Sequence, residues 1–289
     1  AGKPHEGLLG KTVLESCDDP ALSRAFLEND RRVLEEGQTI VVEEMAPNGR
    51  RYLATKTPYR DSQGEVRGLL GVAHDITARK AAEDTLRRLN RTLKAQSNSS
   101  HALLRASSES EYLAEVCRLI VEDCGHALIW IGFAEQDEVR SVRIVAHAGF
   151  EESYLQTLQL TWADSERGRG PTGTAIRTGQ VAACRNMQSD PQFAPWRAEA
   201  LRRGYRSSLA LPLLADGKAF GALTLYSQAA DAFSEAEIEL LRELANDLAF
   251  GIQTLRLRAS HAEAEEALRQ SEALYRAIGE SIDYGVWVC

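Results

Sequence analysis

Long apolar runs are missing from this 289-residue chain. None approaches the roughly 18 residues that a membrane-spanning helix requires, and no apolar leader opens the chain. A cytoplasmic protein without membrane contact is therefore expected. Cysteine is scarce and odd in number, five in all, with no C-x-x-C spacing. That composition suits a reducing compartment better than a disulfide framework and supplies no metal-ligand pattern. Cys117 and Cys124 fall seven apart on a predicted helix, about 10 Å along its axis, too far to bond to each other. Positive charge is in deficit: 34 Lys and Arg stand against 42 Asp and Glu, a formal net charge of −8. This argues against a nucleic-acid or anionic-membrane surface. Catalytic signatures are missing too, with no Walker loop, no H-E-x-x-H and no G-x-S-x-G. A non-enzymatic segment is expected, its cofactor, if any, unknown from the sequence.

What remains is the balance of an ordinary folded protein, 44% hydrophobic and 26% charged, long enough for about two domains. Residues 22–35 place Leu22, Phe26, Leu27, Val33 and Leu34 at helical spacing, and Gly37 stops the run. Strand-like runs follow at 38–45, 51–57 and 66–76, joined by Pro47-Asn48-Gly49 and Asp61-Ser62-Gln63-Gly64. An antiparallel meander with one helix packed on it is expected.

Residues 76–96 then form an amphipathic helix in which Ala82, Leu86, Leu89 and Leu93 repeat at heptad spacing. Such a stripe either pairs with a second copy as a signalling linker or lies on its own domain. Ser97-Asn98-Ser99-Ser100 is expected to break or kink it. A further helix over 111–123, capped by Ser108 or Ser110, precedes two strands at 127–134 and 141–147.

The stretch from Trp162 to Tyr226 is the most informative. A polar, glycine-rich loop leads into a short helix, then a short strand, an irregular aromatic segment, and two apolar strands joined by Ala215-Asp216-Gly217-Lys218. That order builds a sheet with a lid over one face, and hence a pocket. From Phe233 onward the pattern is one long helix, opened by a Ser234/Glu237 capping box. Its stripe of Ile238, Leu241, Leu244, Leu248, Ile252 and Leu255 thins to Ala259, Ala262 and Glu266. Burial against the sheet is expected first, and a looser contact with a partner helix later.

Two resemblances follow from particular residues. Arg51-Tyr52-Leu53, Pro58, Gly64-Glu65-Val66-Arg67-Gly68 and Asp75-Ile76-Thr77-Ala78-Arg79-Lys80 resemble the back half of a PAS sensor domain. Its opening strands would precede Gly7, so residues 1–77 are expected to be a partial domain and 78–100 a linker helix. Residues 101–257 resemble a GAF domain along its whole length. The carrying residues are Ser165 through Ala175, Ser189-Asp190-Pro191, Gly204 through Ser208, Pro212-Leu213, Gly217 and Phe220 through Tyr226. Residues 258–289 resemble a further linker and the entry helix and first strand of a second PAS domain, the strand at Tyr284–Val288. That strand could instead complete the opening half-domain.

The resemblance implies an α+β fold: an antiparallel sheet with helices on one face and a loop-and-helix lid on the other. It further implies a small-molecule or light sensor in a signalling protein such as a sensor histidine kinase or a diguanylate cyclase. Such proteins dimerise through their terminal helices. Asp75, Thr77, Leu86, Leu89, Leu93, Leu248 and Leu255 are the signal-coupling candidates. The alternative is a dimerisation scaffold with an empty pocket.

Gly168-Arg169-Gly170-Pro171-Thr172-Gly173 matches G-x-G-x-x-G, but the run before it is polar and not strand-like. A tight loop into a short helix, with Pro171 in its first turn, is the better reading than a phosphate cradle. His101 and His261 follow serines as in a histidine-kinase phosphoacceptor, but alanine stands where that motif needs an acid. Cys184 is followed by Arg185, not the histidine common at bilin attachment sites, and is expected to be a small packed residue. For the pocket, Trp130 and Phe133 lie on a strand that could face either layer. Trp162, Thr172, Phe193, Trp196, Tyr205, Arg206 and Ser207 belong to the lid and its rim, beside Ser208. Aromatics with a few polar groups suit a small ligand, and equally a core beneath a lid.

Overall fold

The computed structural model describes residues 19–149 and 153–281. They form two compact units that divide between Arg87 and Arg88.

The first unit begins with α1 (Pro20–Glu36). Asp19 accepts from the backbone N–H groups of Ala21 and Leu22, Pro20 sits in the first turn, and Gly37 ends the helix at φ 64°. An antiparallel meander follows, β1 (Ile40–Met45), β2 (Arg51–Arg60) and β3 (Val66–Asp75), in spatial order β1-β2-β3. One face packs on α1 through a buried charge cluster. Lys56 is 7% exposed, and its Nζ lies 2.7 Å from Asp30, 2.6 Å from Glu44 and over the Phe26 ring. Burial alone would lower the Lys56 pKa, but the two hydrogen bonds outweigh it and the net shift is upward. At the end of β3, Asp75 Oδ1 accepts from Thr77 N (2.9 Å), and Thr77 Oγ1 accepts from Arg51 N (2.9 Å). Those bonds fasten the start of the next helix to β2.

That helix, α2 (Thr77–Arg105), runs straight through Ser97–Ser100, so the expected break is absent. Ser100 bonds back to the Gln96 carbonyl (3.3 Å), Asn98 reaches Asp123 (2.8 Å), and Ser99 lies 3.4 Å from the Tyr112 hydroxyl. Tertiary partners take up the side chains that would otherwise compete with the helical backbone. Leu86 and Leu93 are exposed and Leu89 is half-buried.

In the second unit α3 (Glu109–Cys124) is capped by Ser108, which accepts from Glu111 N, and closed by Gly125 at φ 76°. A five-stranded antiparallel sheet follows, made of β4 (Leu128–Ala134), β5 (Val142–Gly149), β6 (Ala182–Cys184), β7 (Ser207–Ala215) and β8 (Lys218–Ser227). Its order is β5-β4-β8-β7-β6. Alternate residues divide between two cores. Ile129, Ile131, Leu209, Leu211, Leu223 and Leu225 face α3 and the long α7 (Glu235–Ser281). Leu128, Trp130, Ala222 and Tyr226 face the lid. The α+β architecture expected from sequence is the one found.

The stripe of α7 is buried from Leu241 to Leu255. Gly251 lets it meet α3 closely, since a Cβ there would stand 2.6 Å from the Tyr112 hydroxyl. Arg256 forks onto Glu109 at 2.7 and 3.0 Å. Past that point Leu257, Leu268, Leu274 and Tyr275 are 60–72% exposed. The expected strand at 284–288 lies outside the described residues. No helix among the described residues is long and apolar enough to cross a membrane.

Candidate functional site: the lid face of the five-stranded sheet

The lid runs from α4 (Tyr154–Thr157) through a 3-10 turn at Glu166–Gly168, α5 (Pro171–Thr178), a second 3-10 turn at Pro191–Trp196, and α6 (Arg197–Arg202). Its glycine pattern has a mechanical cause at each position. A Cβ on Gly168 would lie 1.8 Å from the Ala163 carbonyl, one on Gly173 2.3 Å from the Gly168 carbonyl, and one on Gly170 2.5 Å from the Trp196 ring. The loop folds onto itself and onto an aromatic plate, and only glycine admits that approach. Arg177, at the end of α5, knits the crossing together by donating to the Gly168 carbonyl at 2.9 Å. Arg197 does the same for the later segment, donating to the carbonyls of Met187 (2.9 Å) and Asp190 (2.6 Å).

Beneath the lid, three tyrosines stack with ring centroids 5.2–5.7 Å apart: Tyr154 from α4, Tyr205 before β7, and Tyr226 from β8. Trp130 is fully buried beside them. Phe193 and Trp196 pack at 5.7 Å, and the Trp196 indole donates to the Leu158 carbonyl at 2.9 Å. Thr172 pairs with Thr224 of the sheet, Oγ1 to Oγ1, at 3.0 Å. Trp162 sits at the rim, half-buried, donating to the Glu135 carbonyl (2.9 Å) with the Arg140 guanidinium over its ring. The lid-face core thus gathers Trp130, Thr172, Phe193, Trp196 and Tyr205, with Trp162 at its edge.

Two candidates belong elsewhere. Phe133 has the phase of Ile129 and Ile131 and lies on the helix face against Phe220 and Arg256. Ser207 has the phase of Leu209 and faces away from the lid, its hydroxyl donating to the Ala229 carbonyl at 2.7 Å. Its neighbour Ser208 is the lid-side serine, opposite Tyr226 on β8 and Cys184 on β6. A one-residue slip in strand phase moves a side chain to the other face. Arg206 enters through its backbone, its N–H on the Ser227 carbonyl and its own carbonyl taken by Met187 N–H, both at 2.8 Å. Cys184 is wholly buried, and burial pushes its thiol pKa up to about 12, so it stays protonated.

Sequence reasoning missed Tyr154, Tyr226, Arg177 and Arg197. The period-2 run Ala222-Thr224-Tyr226 was the available signal for Tyr226. Tyr154 sits on a four-residue helix with no periodicity to mark it. Among the described residues no group of three acidic, histidine or cysteine side chains is placed to hold a metal ion.

A family model of the GAF domain matches residues 106–253, and one of the PAS fold matches residues 1–81. A curated relative, the methyl sulfide methyltransferase-associated sensor of Methanosarcina acetivorans, is 26% identical over 245 residues, covering 82% of this chain. The chain matches 22% of that relative's own length. Solved structures of similar fold include the GAF domain of a phosphoenolpyruvate-protein phosphotransferase from Coxiella burnetii, 17% identical, over 60% of this chain and 98% of that one, with a TM-score of 0.49. Another is the free methionine-R-sulfoxide reductase of Neisseria meningitidis, 18% identical, over 58% of this chain and 91% of that one, also at 0.49. With more than half its residues matched by that one model, the chain belongs to the GAF domain family, and it carries a PAS fold ahead of its GAF domain.

Proposed function

We propose that this chain is a non-catalytic sensing and relay segment. A small ligand engages the lid face of the GAF sheet, and α2 and α7 carry the response to an output domain of the histidine-kinase or diguanylate-cyclase kind. One observation supports this most: the same strands serve both faces. On β4 and β8, Trp130 and Tyr226 touch the lid while Ile129, Ile131 and Leu225 touch α3 and α7. A lid that repacks must move strands on which α7 rests. The exposed leucines of α2 and of α7 beyond Leu255 suit pairing with a second copy, which makes the relay dimeric. A cytoplasmic setting suits the free thiols of Cys117, Cys124 and Cys184. The protonated, buried Cys184 suits a non-catalytic role, since the thiolate is the nucleophile.

A second reading draws on the closeness of the packing. Trp130, Tyr154 and Tyr205 are each 0% exposed, as a scaffold with no ligand would have them. Thermal-shift screening of the full chain against cyclic nucleotides, tetrapyrroles and metabolites separates the two. A compound that binds the native state at 100 times its Kd stabilises it by about 2.7 kcal/mol. Uniform absence of stabilisation overturns the sensor in favour of the scaffold.

A further inference from the structure

We propose that the outward face of α7, from Phe250 to Tyr275, is one half of a parallel two-stranded coiled coil, and that the other half is the same face of a second copy of this chain. This rests on the dimeric relay proposed above, and it names the seam, its register and its direction.

α7 carries two stripes. The first, from Leu241 to Leu255, is buried on the sheet. The second begins at Phe250, before the first has ended, and runs along the opposite side of the helix. Its steps alternate strictly between four and three residues, the spacing of a and d positions in a heptad. Thr254, His261, Leu268 and Tyr275 take the a positions, and Phe250, Leu257, Ala264 and Ser271 the d positions. The four large apolar side chains among them, Phe250, Leu257, Leu268 and Tyr275, are 60–72% exposed. Every residue from Leu257 to Ala277 is exposed. In that span Arg269 bonds Glu265 at 2.5 Å and Gln270 bonds Glu266 at 3.0 Å, along the helix itself. Most helical stability in proteins comes from packing an apolar face, which this length of helix does not do on its own domain.

The seam suits a copy of itself. In register each residue meets its own counterpart, leucine against leucine and Ala264 against Ala264. The flanks agree: Gln253, Ser260 and Ala267 fall opposite the second copy's Arg258, Glu265 and Glu272, so no like charges meet. At the domain end a cavity of about 350 Å³ opens beside Phe250, lined by Leu214, Ala215 and Asp216 of the β7–β8 hairpin and by Asn246 and Gln253. A two-fold pair with parallel helices brings each Phe250 to the other copy's cavity. An antiparallel pair would carry Phe250 away toward the far end of the second helix. Size decides how tight the pair is. Phe250 to Tyr275 spans about 38 Å, so a strip one helix diameter wide covers on the order of 400 Å² on each copy. That is half of the roughly 800 Å² per partner in a standard stable interface. Polar Thr254 and His261 at a positions lower stability further while fixing the register. The pair is therefore weak and register-specific, which leaves it open to a shift in conformation.

Sedimentation equilibrium of the full chain and its variants tests the seam. Leu268→Glu is expected to weaken association about tenfold or more, because it puts a charge between the helices. His261→Leu is expected to tighten it about tenfold, because it removes a polar group from an a position. Ala273→Leu, at the solvent-facing f position, is expected to leave it unchanged. Dilute samples of all three should melt with the parent, since these side chains lie beyond the part of α7 that packs on the sheet. Mild oxidation of Ser271→Cys is expected to give a disulfide joining position 271 of one copy to position 271 of the other, identified by peptide mapping. If the parent is dimeric yet Leu268→Glu and His261→Leu associate as it does, the dimeric relay stands and this seam is overturned. A dimeric Ser271→Cys that yields no such peptide overturns the parallel register. A parent that stays monomeric at millimolar concentration overturns the seam and the dimeric relay together.

Discussion

His126, between the Gly125 cap of α3 and the start of β4, packs its ring 5.6 Å from Phe233. The ring is half-buried, yet its Nε2 is shut off from water without a partner, and burial holds its pKa down to about 4. The unfolded chain takes up a proton near pH 6.5 that the folded chain refuses until about pH 4. Stability is therefore complete above about pH 6.5 and falls as the pH drops through that window, by on the order of 2–3 kcal/mol. Urea unfolding between pH 7 and 4 should show a smaller decline in His126→Phe than in the parent. Equal declines would mean that this imidazole is already protonated in the folded protein. Sequence alone offers His126 only as a metal or haem ligand without paired-ligand spacing; its burial was not legible, because it depends on the fold closing over the ring.

The glycine loop is the element on which sequence and structure agree in substance. Its context, polar before and a short Pro-led helix after, favoured a tight loop over a phosphate cradle. The self-crossing was invisible, because which carbonyl meets which glycine depends on tertiary closure. Gly173→Ala should destabilise the chain by about 3 kcal/mol, because the obstructing atoms are the backbone carbonyls of Gly168 and Thr161, at 2.3 and 2.6 Å from an added Cβ. Gly68→Ala, whose Cβ would meet nothing within 4 Å, should change stability by less than about 1 kcal/mol. Denaturant unfolding followed by tryptophan fluorescence checks the pair, and a Gly173→Ala as mild as Gly68→Ala would refute the crossing. Helices and strands were legible because their periods are local. Strand phase at Phe133 and Ser207 was not, since a fully apolar strand such as β4 carries no alternation to read and β7 opens on two serines side by side. The serines of α2 misled for a similar reason: their partners, Tyr112 and Asp123, lie on another helix.

At the scale of the molecule, the long helices leave apolar side chains exposed. On α7 the exposed Phe250, Leu257, Leu268 and Tyr275 lie on the side of the helix opposite the buried Leu248, Ile252 and Leu255. Truncation after Gln253 removes most of that surface and keeps the residues from Leu241 to Ile252 that seal the sheet. If α7 pairs as proposed, sedimentation should show the parent self-associating and the truncated chain monomeric; a truncated chain that associates as the parent does would remove α7 from the relay. The account turns on whether the lid face and the far end of α7 are coupled, and a coupling exists only if a ligand favours one of two states. Amide hydrogen exchange on the full chain answers this, with and without a saturating amount of any compound that raises the melting temperature. The account predicts altered protection in the lid, residues 153–205, together with altered protection in α7 beyond Leu257. A change confined to the lid, with α7 exchanging as before, would contradict it.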